Sequence, residues 1–446
     1  MDCRQAEELM VAYARGELAQ TEAAELEKHL RTCPACRWNA DAARKTLDVL
    51  KQAAEPDIVA LTSEIIGAAI AEGASDIHIE PRQQDASIRL RVDGVLRDIR
   101  TIPKSVYLAL VARIHVMGDM DPFELRVPQQ SRIHIRRDDR DYHIRVTGLP
   151  AYWGPRLTLR ILPPSFQGES GLAEIGFSPP NLAALRELLR RPCGLIVLSG
   201  PIGAGAKTTA YACLQEVNRE GISVFSVEDA VDVVLPGVTQ VSLNRKMGLD
   251  YPAALRAVMR SDPDVVLVGE LPDEPTAVAA ADLALTGHLV LATLHAPDAA
   301  GAVRRLMDLG LQSHVLAGSL LATLSQRLVR RVCPECREEY DLPADEIAFL
   351  HQCGIEDVPK RLWRGAGCDY CRRTGYRGRT AIHEILVIDD ALVAALADGS
   401  YAAGMGLRAI RRTIARDGAE RALEGVTTVW EARRVTSGSP RRTVPA

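Results

Sequence analysis

Apolar positions along this chain keep a helical period near both ends and fall into alternating or compact runs between them. Leu9, Met10 and Tyr13, then Leu26 and Leu30, predict helices within residues 1–50, and Gly16 is placed to break them. Lys51 to Pro56 reads as a linker. Leu61, Ile65, Ile66 and Ile70 predict another helix over 57–72, stopped by Gly73. Alternating runs follow at Asp76–Glu80, Ser87–Val92, Arg132–Arg136, His143–Thr147 and Leu157–Leu162, interrupted by a helical stretch around 104–117. That is an α+β pattern. From Pro192 the runs become compact and apolar: Leu195–Ser199, Ser223–Val227, Val265–Val268 and Leu289–Thr293, with helical stretches between several of them. Such runs predict a mostly parallel sheet covered on both faces, an α/β fold. The region 390–435 reads as helical and charged.

Composition narrows the classes. At 446 residues, 47% hydrophobic and 25% charged, the chain has the balance of several globular domains, not of a disordered or fibrous protein. A formal net charge of −4 and only 4% aromatics argue against a nucleic-acid partner. No apolar run approaches the ~18 residues of a membrane span. Met1-Asp2-Cys3-Arg4 is a polar start without an apolar signal segment, so a cytoplasmic protein is expected. Six of the ten cysteines form Cys-x-x-Cys pairs: Cys33/Cys36, Cys333/Cys336 and Cys368/Cys371. In a reducing compartment such pairs are more often metal ligands than disulfides.

The strand predicted at Leu195–Ser199 runs into Gly200-Pro201-Ile202-Gly203-Ala204-Gly205-Ala206-Lys207-Thr208-Thr209. A strand, a glycine-rich turn and a helix make a phosphate-binding layout, because glycines let backbone N–H groups approach an anion at a helix N-terminus. A glycine-rich turn with no ligand is the alternative. Gly200 and Gly205 have the G-x-x-x-x-G spacing, but Ala206 stands where the pattern needs lysine and Lys207 where it needs a hydroxyl. Two further predicted strands end in acids, at Glu228-Asp229 and at Gly269-Glu270. Acids at the C-terminal ends of parallel strands face the crevice where α/β sheets bind ligands. His288 and His295 flank the strand at Leu289–Leu294.

Residues 56–435 resemble the traffic ATPases of type II secretion and type IV pilus assembly. The residues that carry the likeness are Gly73-Ala-Ser-Asp-Ile-His-Ile-Glu-Pro81, Arg91-Val-Asp-Gly-Val-Leu96, Val227-Glu-Asp229, Asp262 to Glu270, Leu285-Thr-Gly-His288, Thr293-Leu-His295, Gln326-Arg-Leu-Val-Arg330 and Thr374 to Thr380. The resemblance implies a RecA-like P-loop ATPase core, a hexameric ring, and ATP and Mg2+ as cofactors. It places the protein at the cytoplasmic face of the inner membrane, where ATP hydrolysis drives assembly of pilin-like subunits on platform proteins. It implies that Glu228 polarises the attacking water, Glu270 acts on the Mg2+ side and His295 senses the γ-phosphate. Arg126, Arg132 and Arg145 are candidates to reach nucleotide across a subunit or domain interface. Three departures cluster at the nucleotide. The loop has Ala206-Lys207 in place of Lys-Ser/Thr, with Thr208, Thr209, Tyr211 and Ala212 still in register. The family's Gly-Glu-Ile/Leu-Arg-Asp becomes Gly269-Glu-Leu-Pro-Asp273, and its Pro-Gln-Asp-Gly-Arg becomes Pro128-Gln-Gln-Ser-Arg132.

Cys333, Cys336, Cys368 and Cys371 form two knuckles suited to a closed tetrahedral Zn2+ site. His29, Cys33 and Cys36, with Cys3 as fourth ligand, offer a second; His29 and Cys33 share a helix face. This N-terminal set resembles the zinc-binding helical module of anti-sigma factors, which implies a docking or sensing role. The segment 360–379 is strongly basic; a solvated face is the default reading, and a contact with anionic lipid or an acidic partner is the alternative. The expected organisation is a zinc module at 1–50, an α+β domain at 56–165, the ATPase core at 170–330, a tetracysteine element at 331–385 and a helical region at 386–446. Two functions compete: an assembly motor with a degenerate loop, and a non-hydrolysing regulatory or scaffold subunit that docks through the N-terminal module. A true anti-sigma factor is a third reading, with less of the chain behind it.

Overall fold

The computed structural model describes residues 1–15, 17–53, 56–162 and 171–436. Gly16, the linker's last residues before Pro56 and the expected boundary near 165–170 lie outside the described residues. The chain forms two units, Met1–Pro164 and Ser165–Ala446.

The first unit begins with helices α1 (Cys3–Arg15), α2 (Gln20–Thr32), α3 (Pro34–Ala53) and α4 (Pro56–Ala71). The predicted linker is thus shorter than expected, because α3 continues through Lys51 to Ala53. Strands β1 (Ala74–Pro81), β2 (Asp85–Val92) and β3 (Val95–Pro103) lead to helix α5 (Lys104–Met117). Strands β4 (Gln129–Arg137), β5 (Arg140–Leu149) and β6 (Arg156–Ile161) complete an antiparallel sheet ordered β3-β2-β1-β6-β5-β4. Ile77, Ile79, Ile88, Leu90, Ile144 and Leu157 bury one sheet face against Tyr107, Leu110 and Ile114 of α5. Strand β3 was not expected: Ile102 is its one buried side chain, so it lacks a clear alternation. The three N-terminal helices share a separate core of Ala6, Met10, Leu26, Leu30, Cys36 and Ala40. At roughly 1.5–3 kcal/mol per fully buried large side chain, so few apolar groups need a staple or a neighbour to stay ordered. Helix α3 packs along α1 and reaches α5.

The second unit is built on a seven-stranded sheet. In chain order come α6 (Pro179–Leu189), β7 (Gly194–Ser199), α7 (Ala206–Val217), β8 (Val224–Glu228), β9 (Thr239–Ser242), α8 (Tyr251–Met259), β10 (Val265–Val268), α9 (Glu274–Leu285), β11 (Leu289–Leu294), α10 (Ala299–Asp308) and α11 (Ser313–Ser319). The order continues with β12 (Leu320–Val332), β13 (Arg337–Asp341), α12 (Ala344–Gln352), β14 (Arg361–Gly365) and β15 (Tyr376–Val387). Helices α13 (Asp390–Ala397), α14 (Ala403–Ala409), α15 (Ile414–Leu423) and α16 (Val429–Thr436) close it, where a helical tail was expected. The sheet order is β15-β12-β7-β11-β10-β8-β9. Every neighbouring pair is parallel except β12 with β15.

The continuous apolar runs follow from burial on two sides. Leu195 and Val197 of β7 face one helical layer with Ala277, Ala281 and Val303, while Ile196 and Leu198 face the other with Leu185, Ala210 and Leu214. The parallel direction brings the C-terminal ends of β7, β8, β10 and β11 to one edge, so the glycine-rich loop, Glu228, Glu270 and His295 gather there.

Candidate nucleotide site and metal centres

Local backbone demands explain the loop. Gly203 and Gly205 have φ of 81° and 86°, in the left-handed region that side chains disfavour. A Cβ on Gly200 would stand 2.6 Å from the Gln326 carbonyl oxygen. Helix α7 starts at Ala206 directly after Gly205, so backbone N–H groups are left facing the crevice. Gln326 of β12 pins the loop from beneath. Its Nε2 donates to the Ala204 carbonyl at 2.7 Å, and its Oε1 accepts from Thr209 Oγ1 at 2.7 Å. Sequence reasoning quoted Gln326 within a motif without a role; only the pairing of β12 beside β7 supplies one.

Lys207 points away from the loop, toward the end of β8. Its Nζ lies 2.8 Å from Glu228 Oε2, 2.8 Å from Asp232 Oδ2 and 3.1 Å from the Ala230 carbonyl oxygen. Glu228 is fully buried and its two oxygens are saturated. Besides the ammonium, Oε2 accepts from the Tyr211 hydroxyl, and Oε1 accepts from Ser226 Oγ at 2.8 Å and Gln240 Nε2 at 3.3 Å. A carboxylate taken wholly out of water needs this many donors. Burial and the adjacent Glu228 carboxylate push the Tyr211 phenol well above its ordinary range. Ser226, Asp232 and Gln240 were not singled out beforehand, and Tyr211 only as a marker of the loop's register, since nothing in local spacing joins them to Glu228.

Glu270 and His295 meet at the same edge, with His295 Nε2 3.7 Å from Glu270 Oε1 and Nδ1 3.2 Å from the Gly200 carbonyl. Thr208 is exposed. Asp273, beyond the departure at Pro272, caps α9 by accepting from the Thr276 N–H at 3.0 Å.

The candidate arginines belong to the first unit. Arg126 pairs with Glu124 at 2.7 Å, which pulls that carboxyl down to about 2. Arg132 and Arg145 stand directly opposite each other on β4 and β5. The register carries the row onward through Arg160 and Asp76 to Arg91. Arg160 binds Asp76 at 2.9 Å, so this cross-strand row sets four guanidiniums, Arg132, Arg145, Arg160 and Arg91, beside one carboxylate. Like charges directly opposite each other are unfavourable unless an anion joins them.

Both cysteine sets close into clusters whose ligand atoms lie within 4.8 Å of one another. A tetrahedron with Zn–S bonds of about 2.3 Å has S···S edges of about 3.8 Å. The separations Cys333–Cys368, Cys336–Cys371 and Cys368–Cys371 are 3.9, 3.8 and 3.8 Å. N–H groups of Gly367, Cys368 and Gly375 donate to the Cys336 and Cys371 sulfurs at 3.2 Å, the bonding a thiolate attracts. Burial pushes the Cys371 thiol up, but the Cys368 and Gly375 N–H groups and the neighbouring thiols outweigh it and bring it down to about 6. In the N-terminal cluster Cys3 and Cys33 are 3.8 Å apart. His29 Nε2 is buried with no hydrogen-bond partner, which a metal ion would satisfy. Both clusters fit Zn2+.

The basic segment 360–379 is less bare than its composition suggested. Strand β13 supplies carboxylates across the ladder: Arg361 pairs with Asp341 and Arg364 with Glu338, each at 2.9 Å. Arg373 pairs with Asp369 at 2.9 Å. No helix among the described residues is long and apolar enough to cross a membrane.

A glycine-rich turn from a central buried strand, with acids at the ends of two other parallel strands of the same sheet, β8 and β10, defines the fold of the P-loop ATPase class. Residues 51–434 match the family described as type II/IV secretion system protein, and the chain belongs to that family. Residues 3–37 match a putative zinc-finger family. The type II secretion system protein E of Aeromonas hydrophila is 41% identical over 392 residues, covering 87% of this chain and 77% of the relative. The type IV pilus assembly ATPase PilB of Thermus thermophilus is 38% identical over 371 residues, covering 82% of this chain and 42% of the relative. Among solved structures, the pilus retraction motor PilT with bound ADP aligns over 85% of this chain and 96% of its own, with a TM-score of 0.59 at 23% identity. The ATPase DotB of Yersinia pseudotuberculosis aligns over 85% and 93%, with a TM-score of 0.64 at 18% identity. These two support the fold alone.

Proposed function

We propose that this chain is a ring-forming subunit of a type II secretion or type IV pilus-type assembly machine whose site binds nucleotide weakly and without Mg2+, and turns it over slowly or not at all. The observation that carries the reading is the Lys207 ammonium, 2.8 Å from both Glu228 and Asp232. A divalent ion competing for those carboxylates would have to displace a tethered cation. Mg2+ therefore does not fit this donor set as it stands.

The nucleotide's phosphates fit better. Backbone N–H groups from Gly203 to Lys207 would cradle them, and ATP would supply the phosphoanhydride that intact relatives cleave. Ala206 offers neither charge nor hydrogen bond to a phosphate. Glu228, with both oxygens saturated, holds α7 in place and has no free lone pair aimed at a water. Glu270 and His295 stay beside the loop, where they would contact the phosphate end. Arg132 and Arg145, directly opposite each other on β4 and β5, are the better candidates to reach a neighbour's nucleotide in a ring, where one anion would meet both guanidiniums. Arg126, already paired with Glu124, is the weaker candidate.

In this reading the five expected segments divide the work. The module at 1–50 docks on an inner-membrane platform protein, the α+β domain and core build the ring, and the tetracysteine element braces the core. The protein works in the cytoplasm, peripheral to the inner membrane. A lipid contact at 360–379 has less support, because β13 carboxylates pair two of its arginines. A working motor is the second reading, favoured by the exposed Thr208 next to Lys207 and by the Glu270–His295 contact.

The test is ATP binding and phosphate release by zinc-replete oligomer, with and without added Mg2+. The proposal expects weak binding that Mg2+ leaves unchanged and release at background. Ala206→Lys with Lys207→Thr should then raise Mg2+-dependent binding. Turnover comparable to intact relatives, abolished by Lys207→Ala, would overturn it in favour of the second reading.

A further inference from the structure

The opposite edge of the seven-stranded sheet carries a second concavity. Parallel strands that end at the glycine-rich loop begin here, at Gly194, Val265 and Leu289. A cavity of about 640 Å3 opens between the C-terminal ends of α6 and α7 and these strand starts. That volume lies within the ~300–1,000 Å3 range of small-molecule sites.

Four arginines line it: Arg186, Arg190 and Arg191 from the end of α6, and Arg219 from beyond α7. Two carboxylates share the lining, and both are engaged. Glu216 pairs with Arg186 at 2.7 Å, and Asp264 accepts from the Ser223 N–H at 2.7 Å. Arg190, Arg191 and Arg219 have no ion pair or side-chain hydrogen bond among the described residues, and all three are exposed. Leu189, Ile222 and Leu289 form an apolar wall beside them. Guanidiniums gathered without counter-charge repel one another, and their forked donors match phosphate oxygens. An apolar wall next to an anion-binding rim suits a ligand with a phosphate at one end and a flat organic group at the other.

We propose that this cavity is a second ligand site, separate from the loop, for a small organic phosphate of the nucleoside monophosphate class. Arg190, Arg191 and Arg219 hold the phosphate and the Leu189–Leu289 wall holds the base.

Titration calorimetry on the full zinc-loaded chain tests this, with adenosine monophosphate and inorganic phosphate as probes and no added divalent cation. Gly203→Asp separates the two sites. Gly203 has φ of 81° and open space around it, and Asp tolerates that conformation while its carboxylate repels phosphate at the loop. The monophosphate should still bind the Gly203→Asp protein. Adding Arg190→Ser, Arg191→Ser and Arg219→Ser should weaken that binding about tenfold or more, with the unfolding temperature unchanged. Loss of binding in Gly203→Asp alone, or no effect of the three serines, would overturn the site. Inorganic phosphate binding as tightly as the monophosphate would overturn the organic half of the assignment. A change of oligomeric state without a change of affinity would make the cavity a contact between copies instead, and also overturns it.

Discussion

Removing the Lys207 side chain is the perturbation that the site makes most informative. Lys207→Ala leaves the fully buried Glu228 side chain short of one donor and of its counter-charge. At the observed 2.8 Å and an effective dielectric of about 20, the Coulomb attraction is of order 6 kcal/mol, an upper bound before desolvation. Two facts lower it. The lysine side chain is 33% exposed, so water screens the pair. Tyr211, Ser226 and Gln240 continue to donate to the carboxylate. A loss of about 2–3 kcal/mol is expected, below the ~3–5 kcal/mol of a fully buried broken pair. For a unit of this size that is a fall of roughly 4–10 °C in its thermal transition. Scanning calorimetry of the zinc-loaded chain reads it. The control is the double-mutant cycle with Glu228→Gln, a neutral side chain of the same shape. In the Glu228→Gln background, Lys207→Ala should cost less than about 1 kcal/mol, giving a coupling of about 1 kcal/mol or more. Equal losses in both backgrounds would show that Lys207 is not held by Glu228, and the argument for a tethered cation would fall with it.

Three further outcomes are expected. Burial, with a contribution from Arg421, holds the His383 imidazole down to about 3, and the ring stacks on Phe177 at 3.7 Å. Above the unfolded value of about 6.5 neither state carries its proton; below it the unfolded chain gains a proton that the folded one refuses. Stability should therefore fall as pH drops from about 6.5 toward 3, and urea titrations of His383→Phe should show a flatter decline across that window. Metal analysis should find two zinc ions per chain, from the two clusters. Cys368→Ser with Cys371→Ser should remove one and destabilise the β13–β14 region, whereas a ratio near zero would refute both sites. Light scattering should find a ring-sized oligomer, with nucleotide or a platform partner if not alone. Arg132→Ala with Arg145→Ala should weaken nucleotide binding in the oligomer while leaving the monomer's stability within about 0.5 kcal/mol.

Much of this protein was legible in the order of its residues because the relevant physics is local. A strand buried on both faces must be apolar at successive positions, so β7, β8, β10 and β11 announced themselves. Backbone that turns through the left-handed region needs glycine, so the loop did too. Metal knuckles need ligands a few residues apart, which made both cysteine sets visible, and the structure then closed each into one cluster. The misses depend on which distant segments meet. Strand β3 has one buried side chain and no period to read. The charge of 360–379 looked unbalanced until β13 brought its carboxylates alongside. The sequence alone showed that Lys207 stands in the wrong place for a phosphate loop. Only the tertiary structure decided where its ammonium goes, because Glu228 and Asp232 lie 21 and 25 residues away and reach it by the parallel pairing of β8 with β10. A charge drawn out of water is satisfied by whatever the fold places within about 3 Å, and that choice is made by topology, not by neighbours in the chain.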